Sequence, residues 1–170
     1  MSRTKKLSLC GVMISLALVL SYTEHFIPLQ MVIPLPGIKL GLANIVTLIA
    51  IYLLDDKSVY GIVILRCLLS AVFGGGISGL LFSMTGGILS VTVMILMKKI
   101  PCFSIFGVSI LGAAAHNMGQ ICAAMVLMQS VYIGTYLPYL LLAAVFTGYA
   151  IGAAASGVLR VVASVKGKRV

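Results

Sequence analysis

The stretch SVYGIVILRCLLSAVF (residues 58–73) places one arginine, Arg66, near the middle of an otherwise apolar segment. A charge in hydrocarbon costs about 2.5–3.5 kcal/mol on insertion scales, so it needs a partner or a wet cavity. Asp55 and Asp56 lie in the short loop before this stretch, and Glu24 lies near the end of the first apolar segment. If none of these acids reaches Arg66, a bound anion is the remaining candidate for its counter-charge.

The composition indicates a membrane protein. Of the 170 residues, 61% are hydrophobic and 9% are charged, and the mean hydropathy is +1.20. A soluble domain of this size could not cover its surface with so few polar residues. The net charge of +9 is also typical of nucleic-acid binding. The basic residues cluster at the termini and in short loops, however, so we expect a lipid bilayer and no nucleic acid as partner.

Hydropathy predicts one transmembrane domain, residues 1–170, that is an all-α integral membrane bundle of about six spans. The predicted spans are 6–27, 40–54, 58–73, 77–97, 104–129 and 138–163. A spanning helix needs about 20 apolar residues, so the second and third are short. We expect these two to tilt little, to stop before the interface, or to form a broken, partly re-entrant region.

The basic residues predict the orientation. With six spans, one side carries nearly all of those near the span ends, namely Arg3, Lys5, Lys6, Lys57, Lys98, Lys99, Lys166, Lys168 and Arg169. The opposite loops carry only Lys39. By the positive-inside rule, we expect a multi-pass protein of the cytoplasmic membrane with both termini in the cytoplasm.

Small residues recur at helical spacing in two spans. Gly11 and Ser15 are four residues apart in the first span, and a longer row in the sixth consists of Ala144, Gly148, Gly152 and Ser156. Such stripes let membrane helices approach closely. They indicate either packing within the chain or docking of another membrane subunit, and the spacing does not separate these alternatives.

The loops opposite the termini carry two candidate ligand-binding features. Residues 28–37 contain three prolines around an apolar stretch, which is typical of a lid over a pocket or of a plain interfacial loop. Lys39 follows this segment. The run Gly74-Gly75-Gly76 either directs backbone N–H groups at an anion or forms a tight turn.

Polar residues within the spans complete the candidate site. His116, Asn117 and Gln120 share one sector of the fifth span, and Asn44, Ser83 and Thr85 are expected to face the same interior. These groups either bind a ligand or bond to one another and fix helix register. Arg66 and Lys39 favour an anionic ligand, since arginine binds phosphate bidentately. The predicted substrate-binding residues are Lys39, Asn44, Arg66, Gly75, Gly76, Ser83, His116, Asn117 and Gln120.

The cysteines and histidines do not indicate a metal centre. The four cysteines are scattered without CxxC spacing, and the two histidines have no adjacent ligand cluster. We therefore expect no intrinsic cofactor, metal or disulfide. The first apolar stretch has no small-residue cleavage site and is expected to be a retained helix.

Three segments carry a resemblance to a known family: PGIKLGLANI (36–45), GGGISG (74–79) and FSMTGG (82–87). The chain resembles, over essentially its whole length, the Gx transporter family, whose members are also labelled heptaprenyl diphosphate synthase component I. It is similar as well to the substrate-binding S components of energy-coupling factor (ECF) transporters, which are small six-helix proteins. Some relatives lie in systems linked to flavin and extracellular electron transfer.

This resemblance implies a substrate-binding transporter subunit that imports a small anionic or vitamin-like molecule such as a flavin. Its implied partners are a transmembrane coupling protein and two cytoplasmic ATPases, which alone would use ATP. Gly11 and Ser15 occupy the place of the small-residue docking row in S components, although Val19 follows where another small residue is usual. Nothing in the chain resembles a nucleotide-binding loop.

The alternative is a non-catalytic membrane component of heptaprenyl or polyprenyl diphosphate synthesis. Prenyl synthases hold magnesium diphosphate with paired DDxxD segments. This chain has three acidic residues in total and one Asp-Asp pair, so we expect no independent catalysis. A third hypothesis, that the protein is a structural membrane anchor for a redox complex, leaves Arg66 unexplained.

Overall fold

The computed structural model describes residues 2–24 and 41–165, which form six α-helices and no strand. The helices are α1 (Arg3–Thr23), α2 (Asn44–Leu53), α3 (Asp56–Ser70), α4 (Gly76–Lys98), α5 (Ile105–Leu127) and α6 (Leu137–Val165). A π-helical turn, Ala71–Gly75, joins α3 to α4, and a 3-10 turn, Val131–Tyr136, precedes α6. Each helix lies on one of the predicted spans, and the all-α prediction is confirmed.

Four helical segments are long and apolar enough to cross a membrane: Arg3–Thr23, Asp56–Lys98, Ile105–Leu127 and Val131–Val165. The second of these contains both α3 and α4, which are separated by non-helical backbone at Phe73 and Gly74. The protein is an all-α membrane protein. Six crossings remain a prediction, because α2 has only 10 residues and α3 has 15.

The helices from α3 to α6 pack as successive antiparallel neighbours, and polar contacts join each pair. These are Tyr60 Oη to Thr92 Oγ1 at 2.8 Å, Ser90 Oγ to the Gly112 carbonyl at 2.8 Å, and Asn117 Nδ2 to the Leu140 carbonyl at 2.8 Å. A bond between a side chain and a neighbouring helix satisfies a polar group that lipid would leave unbonded.

The small-residue row of α6 packs inside the protein. A methyl group added to Gly148 would lie 2.6 Å from Ile110 Cα, so the α5 and α6 backbones are in close contact there. Ala144 and Gly152 are buried on the same face. For this row, packing within the chain is confirmed.

Basic and acidic side chains meet at one end of the bundle. Lys6 Nζ lies 2.5 Å from Asp55 Oδ1, and Lys99 Nζ lies 3.7 Å from Asp56 Oδ2. Lys98 Nζ donates to the Ile51 carbonyl at 2.6 Å. These contacts place the start of α1, the α2–α3 loop and the end of α4 together, as the pattern of basic residues predicts.

The short helix α2 lies in the centre of the bundle. Seven of its 10 residues are buried: Asn44, Val46, Thr47, Leu48, Ile49, Ala50 and Ile51. Its carboxyl end lies at the basic end of the bundle, where Lys98 contacts it. Ten helical residues extend about 15 Å, roughly half of a bilayer core, so the amino end of α2 lies in the protein interior. The expectation of a broken region fits this geometry.

Candidate functional site

Arg66 is buried between α1, α3 and α4. Its side chain is 5% exposed, and Nη1 donates to Ser21 Oγ on α1 at 3.4 Å. Nε and Nη2 are buried and make no hydrogen bond in the part of the chain that the structure describes. A buried charge is stable only where it is paired or hydrogen-bonded. The guanidinium therefore presents two unbonded donors in the protein interior.

The acidic residues of the chain do not neutralise Arg66 by direct contact within the described residues. Asp55 and Asp56 bind lysines at the basic end of the bundle. Glu24 is 5% exposed, and its Oε1 accepts a hydrogen bond from the Leu42 N–H. That N–H lies just before α2, where the helix dipole favours a carboxylate. Glu24 thus binds the backbone just before α2.

Asn44 is the first residue of α2, and its side chain is 1% exposed. Neither Oδ1 nor Nδ2 has a hydrogen-bond partner among the described residues. The chain approaches it through Gly41, whose φ of +80° is a conformation that favours glycine. A methyl group at Gly41 would lie 2.9 Å from Asn44 Nδ2 and 3.2 Å from His116 Cδ2. Only a residue without a side chain fits between these two polar groups.

Two adjacent glycines on α4 make room for His116 and Arg66. A methyl group at Gly86 would lie 2.9 Å from His116 Nδ1, and one at Gly87 would lie 3.4 Å from Arg66 Nη2. Because consecutive helical residues point about 100° apart, the pair accommodates a polar side chain from α5 on one flank and from α3 on the other.

These contacts close a ring in the interior, which we call the polar ring. Starting from Arg66, it passes to α1, to the amino end of α2, to α5 and back through α4. Its members are Ser21, Glu24, Gly41, Leu42, Asn44, Arg66, Gly86, Gly87 and His116. It combines a cation, a carboxylate, an amide and a helix amino terminus.

Three of the nine predicted binding residues, Arg66, Asn44 and His116, belong to the polar ring. Asn117 has a packing role, because its amide donates to the Leu140 carbonyl of α6. Gln120 is fully buried on α5, and Ser83 is 7% exposed on α4. The expectation that Thr85 faces the interior is wrong. Its side chain is exposed, and its hydroxyl donates to the Leu81 carbonyl of its own helix at 2.8 Å.

The predicted glycine site lies far from the polar ring. Gly75 and Gly76 form the turn between α3 and α4, and Gly76 has a φ of +60°. Gly87 lies eleven positions after Gly76 on α4, which corresponds to about 16 Å along the helix. Their geometry is that of the tight-turn alternative. Lys39 and the proposed lid, residues 28–37, lie outside the described residues.

The predicted docking residues are on the outer face of α1. Gly11 and Ser15 are both exposed, and nothing lies within 4 Å of a methyl group added to Gly11. Ser15 Oγ donates to the Gly11 carbonyl at 3.0 Å. This row, unlike that of α6, takes no part in packing among the described helices.

Sequence reasoning missed the roles of Ser21 and Gly41 and the bond from the Leu42 N–H to the Glu24 carboxylate. In the sequence, Gly41, Gly86 and Gly87 are recognisable only as parts of motifs. The space that they leave for His116 and Arg66 depends on which helices become neighbours. Among the described residues, no group of three or more His, Cys, Asp or Glu side chains is placed to hold a metal. The side chains of the polar ring offer hydrogen-bond donors, hydrogen-bond acceptors and charge.

Comparison with known proteins places the chain in one family. A family model described as heptaprenyl diphosphate synthase component I matches residues 13–158. That range contains the whole polar ring. No curated protein and no solved structure matches the chain. Because the match covers most of the sequence, the chain belongs to the heptaprenyl diphosphate synthase component I family.

Proposed function

We propose that this protein is the substrate-binding membrane subunit of a transporter, and that Arg66 binds the anionic group of a small molecule. The observation that carries the proposal is the state of the buried guanidinium, whose Nε and Nη2 have no hydrogen-bond partner in the described part of the chain. These two atoms lie on the same edge of the guanidinium. That edge donates two parallel hydrogen bonds to a carboxylate or phosphate.

The short central helix supports a transport role. In many transporters, interrupted helices place their amino termini near the bilayer midplane, where the positive end of the dipole faces anionic substrate groups. Here the amino end of α2 lies inside the bundle, with Glu24 bound to the Leu42 N–H and Asn44 beside it. The ligand classes that we propose are vitamin-like anions, such as a flavin.

The exposed row on α1 supports a membrane partner. Gly11 and Ser15 present a small, weakly polar surface that another helix can approach closely. We propose a transmembrane coupling protein at this surface, with cytoplasmic ATPases supplying the energy. In this proposal the protein is a multi-pass component of the cytoplasmic membrane with both termini inside, and it is not itself an enzyme.

The second candidate function is a non-catalytic membrane role in polyprenyl diphosphate synthesis, which the description of the family favours. A diphosphate could occupy the guanidinium edge while its isoprenoid chain lies among apolar helices. Catalysis by this chain has little support, because two of its three acidic residues are bound to lysines at the basic end.

Native mass spectrometry of the gently purified membrane complex separates the two functions. The transporter proposal expects a retained water-soluble anion together with a coupling protein and ATPases. A retained prenyl diphosphate together with a soluble synthase subunit would overturn it and establish the second function. Purification from cells grown with and without an external flavin tests that particular ligand class.

A further inference from the structure

The Asn44 side chain is an unexplained feature of the protein interior. It is 1% exposed, and within residues 2–24 and 41–165 both polar atoms of its amide lack a hydrogen-bond partner. Asn117, the other buried asparagine among the described residues, donates to the Leu140 carbonyl at 2.8 Å. An unbonded buried amide destabilises a fold, and an apolar residue of similar shape removes that cost. Helix packing therefore gives no reason for an asparagine at this position.

Asn44 lies in the polar ring that contains Arg66. Gly41 separates the Asn44 amide from His116, and Gly86 and Gly87 separate His116 from Arg66. On the other side, the Leu42 N–H binds Glu24, one helical turn from the serine that binds Arg66. We take both groups to be contacted by one small molecule that lies among α1, α3 and the amino end of α2.

The chemistry of the amide defines what it recognises. An asparagine offers one acceptor, Oδ1, beside two N–H donors on Nδ2. Its complement is a group with a donor adjacent to an acceptor, such as a carboxamide or the N–H and carbonyl edge of a cyclic imide. An isoprenoid diphosphate has no such edge, because its chain is hydrocarbon.

We infer that the ligand carries, besides its anionic group, an amide or imide edge that pairs with Asn44. This inference rests on the proposed function, since it assumes that Arg66 binds the anion of the same molecule. The substrate class is thus a small water-soluble anion with an amide or cyclic imide, rather than a prenyl diphosphate.

The first test needs no ligand and compares the two asparagines in lipid nanodiscs. Asn44→Leu and the smaller Asn44→Ser are expected to melt at or above the wild-type temperature, because each removes an unbonded amide. Asn117→Leu is the matched control and is expected to melt at a lower temperature, because it removes a bonded one. If both Asn44 variants melt well below wild type while Asn117→Leu does not, Asn44 serves packing and the inference is wrong.

The second test measures the melting temperature with two sets of anions. Orotate and riboflavin 5′-phosphate carry a cyclic imide edge, whereas benzoate and farnesyl diphosphate do not. We expect at least one of the first set to stabilise the wild type and neither of the second. In both Asn44 variants the affinity for that compound should fall by about 10- to 100-fold, the loss expected for hydrogen bonds to a buried ligand.

The outcomes distinguish a failure of the inference from a failure of the proposed function on which it rests. Stabilisation by farnesyl diphosphate alone, or by none of the edge-bearing anions, overturns the inference. Stabilisation that Arg66→Gln abolishes but both Asn44 variants retain overturns the inference and leaves the proposed function standing. Stabilisation that survives in Arg66→Gln overturns the proposed function itself.

Discussion

Arg66 on α3 donates from Nη1 to the hydroxyl of Ser21 on α1 at 3.4 Å, while its Nε and Nη2 are buried and bond to none of the residues that the structure describes. Among the described residues, this buried cation is thus bonded through a long contact with a neutral hydroxyl group. The contact also lies near the carboxyl end of α1, a helix that buries only Met13, Ala17 and Ser21. The least buried long helix therefore covers the charge on which the proposed function depends.

Close contacts between helix backbones should make alanine destabilising at two glycines. A methyl group at Gly119 would lie 2.7 Å from the Thr85 carbonyl oxygen, and one at Gly148 would lie 2.6 Å from Ile110 Cα. Since backbone cannot move aside as a side chain can, we expect Gly119→Ala and Gly148→Ala each to cost about 1–3 kcal/mol of unfolding free energy. Reversible unfolding in mixed micelles measures this cost.

Gly61 and Gly157 supply the controls for this measurement, because nothing lies within 4 Å of a methyl group added to either. Alanine there should leave stability unchanged or raise it by up to about 1 kcal/mol through helix propensity. Equal losses in all four variants would contradict the proposed packing.

The Asp55–Lys6 pair should make stability depend on pH in the acid range. The hydrogen bond from Lys6 lowers the pKa of the Asp55 carboxyl from 3.8 to about 2. A group whose pKa is lower in the folded state stabilises the fold above its unfolded-state pKa, and this contribution is lost as the pH falls through the folded-state pKa. We expect the melting temperature to decrease between pH about 4 and 2, and to decrease less in Asp55→Asn.

Asparagine is the appropriate replacement because Asp55 also caps α3, where its side chain accepts from the Ser58 N–H at 3.4 Å. Asn caps helices about as well as Asp, so the variant removes the charge and keeps the cap. Identical pH profiles for the two proteins would show that the ion pair contributes nothing.

The outer face of α1 should determine partner binding without affecting the fold. Gly11→Leu adds a large side chain where nothing lies within 4 Å, so melting temperature should be unchanged. Co-purification of the proposed coupling protein should decrease sharply, because leucine prevents close helix approach. The matched control is Gly61→Leu, on α3, which also has open space around it. Loss of the partner in both variants, or in neither, would argue against docking at this row.

The orientation can be measured by thiol labelling in intact cells. Starting from a cysteine-free variant, Lys99→Cys reports on the basic end of the bundle and Ser78→Cys on the α3–α4 turn side. We expect a membrane-impermeant reagent to label Ser78→Cys only, because the positive-inside rule places the basic end in the cytoplasm. Labelling of Lys99→Cys alone would reverse the proposed orientation.

Most of the architecture was predictable because it depends on local composition. Apolar runs interrupted by Asp55-Asp56-Lys57 and Gly74-Gly75-Gly76 predict where helices end, and the helices observed follow those breaks. Arg66 was identifiable because one charge in an apolar stretch is conspicuous. Within the predicted second span, residues 40–54, the helix begins only at Asn44, after residues 41–43.

The grouping of the polar residues was predictable only in part. Helical spacing placed His116, Asn117 and Gln120 in one sector, but it did not show that Asn117 would bond to α6. The hydrogen bond from the Leu42 N–H to Glu24 joins residues 18 positions apart. Such a contact depends on how α1 and α2 pack together, which composition and periodicity do not determine.

The most direct test of the central claim is the identity of the anion retained by four proteins in nanodiscs, measured by native mass spectrometry. These are the wild type, Arg66→Gln, Arg66→Lys and Arg160→Gln, where Arg160 is an exposed arginine on α6. Wild type and Arg160→Gln should retain the same anion, Arg66→Lys less of it, and Arg66→Gln none, with melting temperatures of the stripped proteins nearly equal. Retention of that anion by Arg66→Gln, or its absence from the wild type, would contradict the proposal that Arg66 binds the substrate.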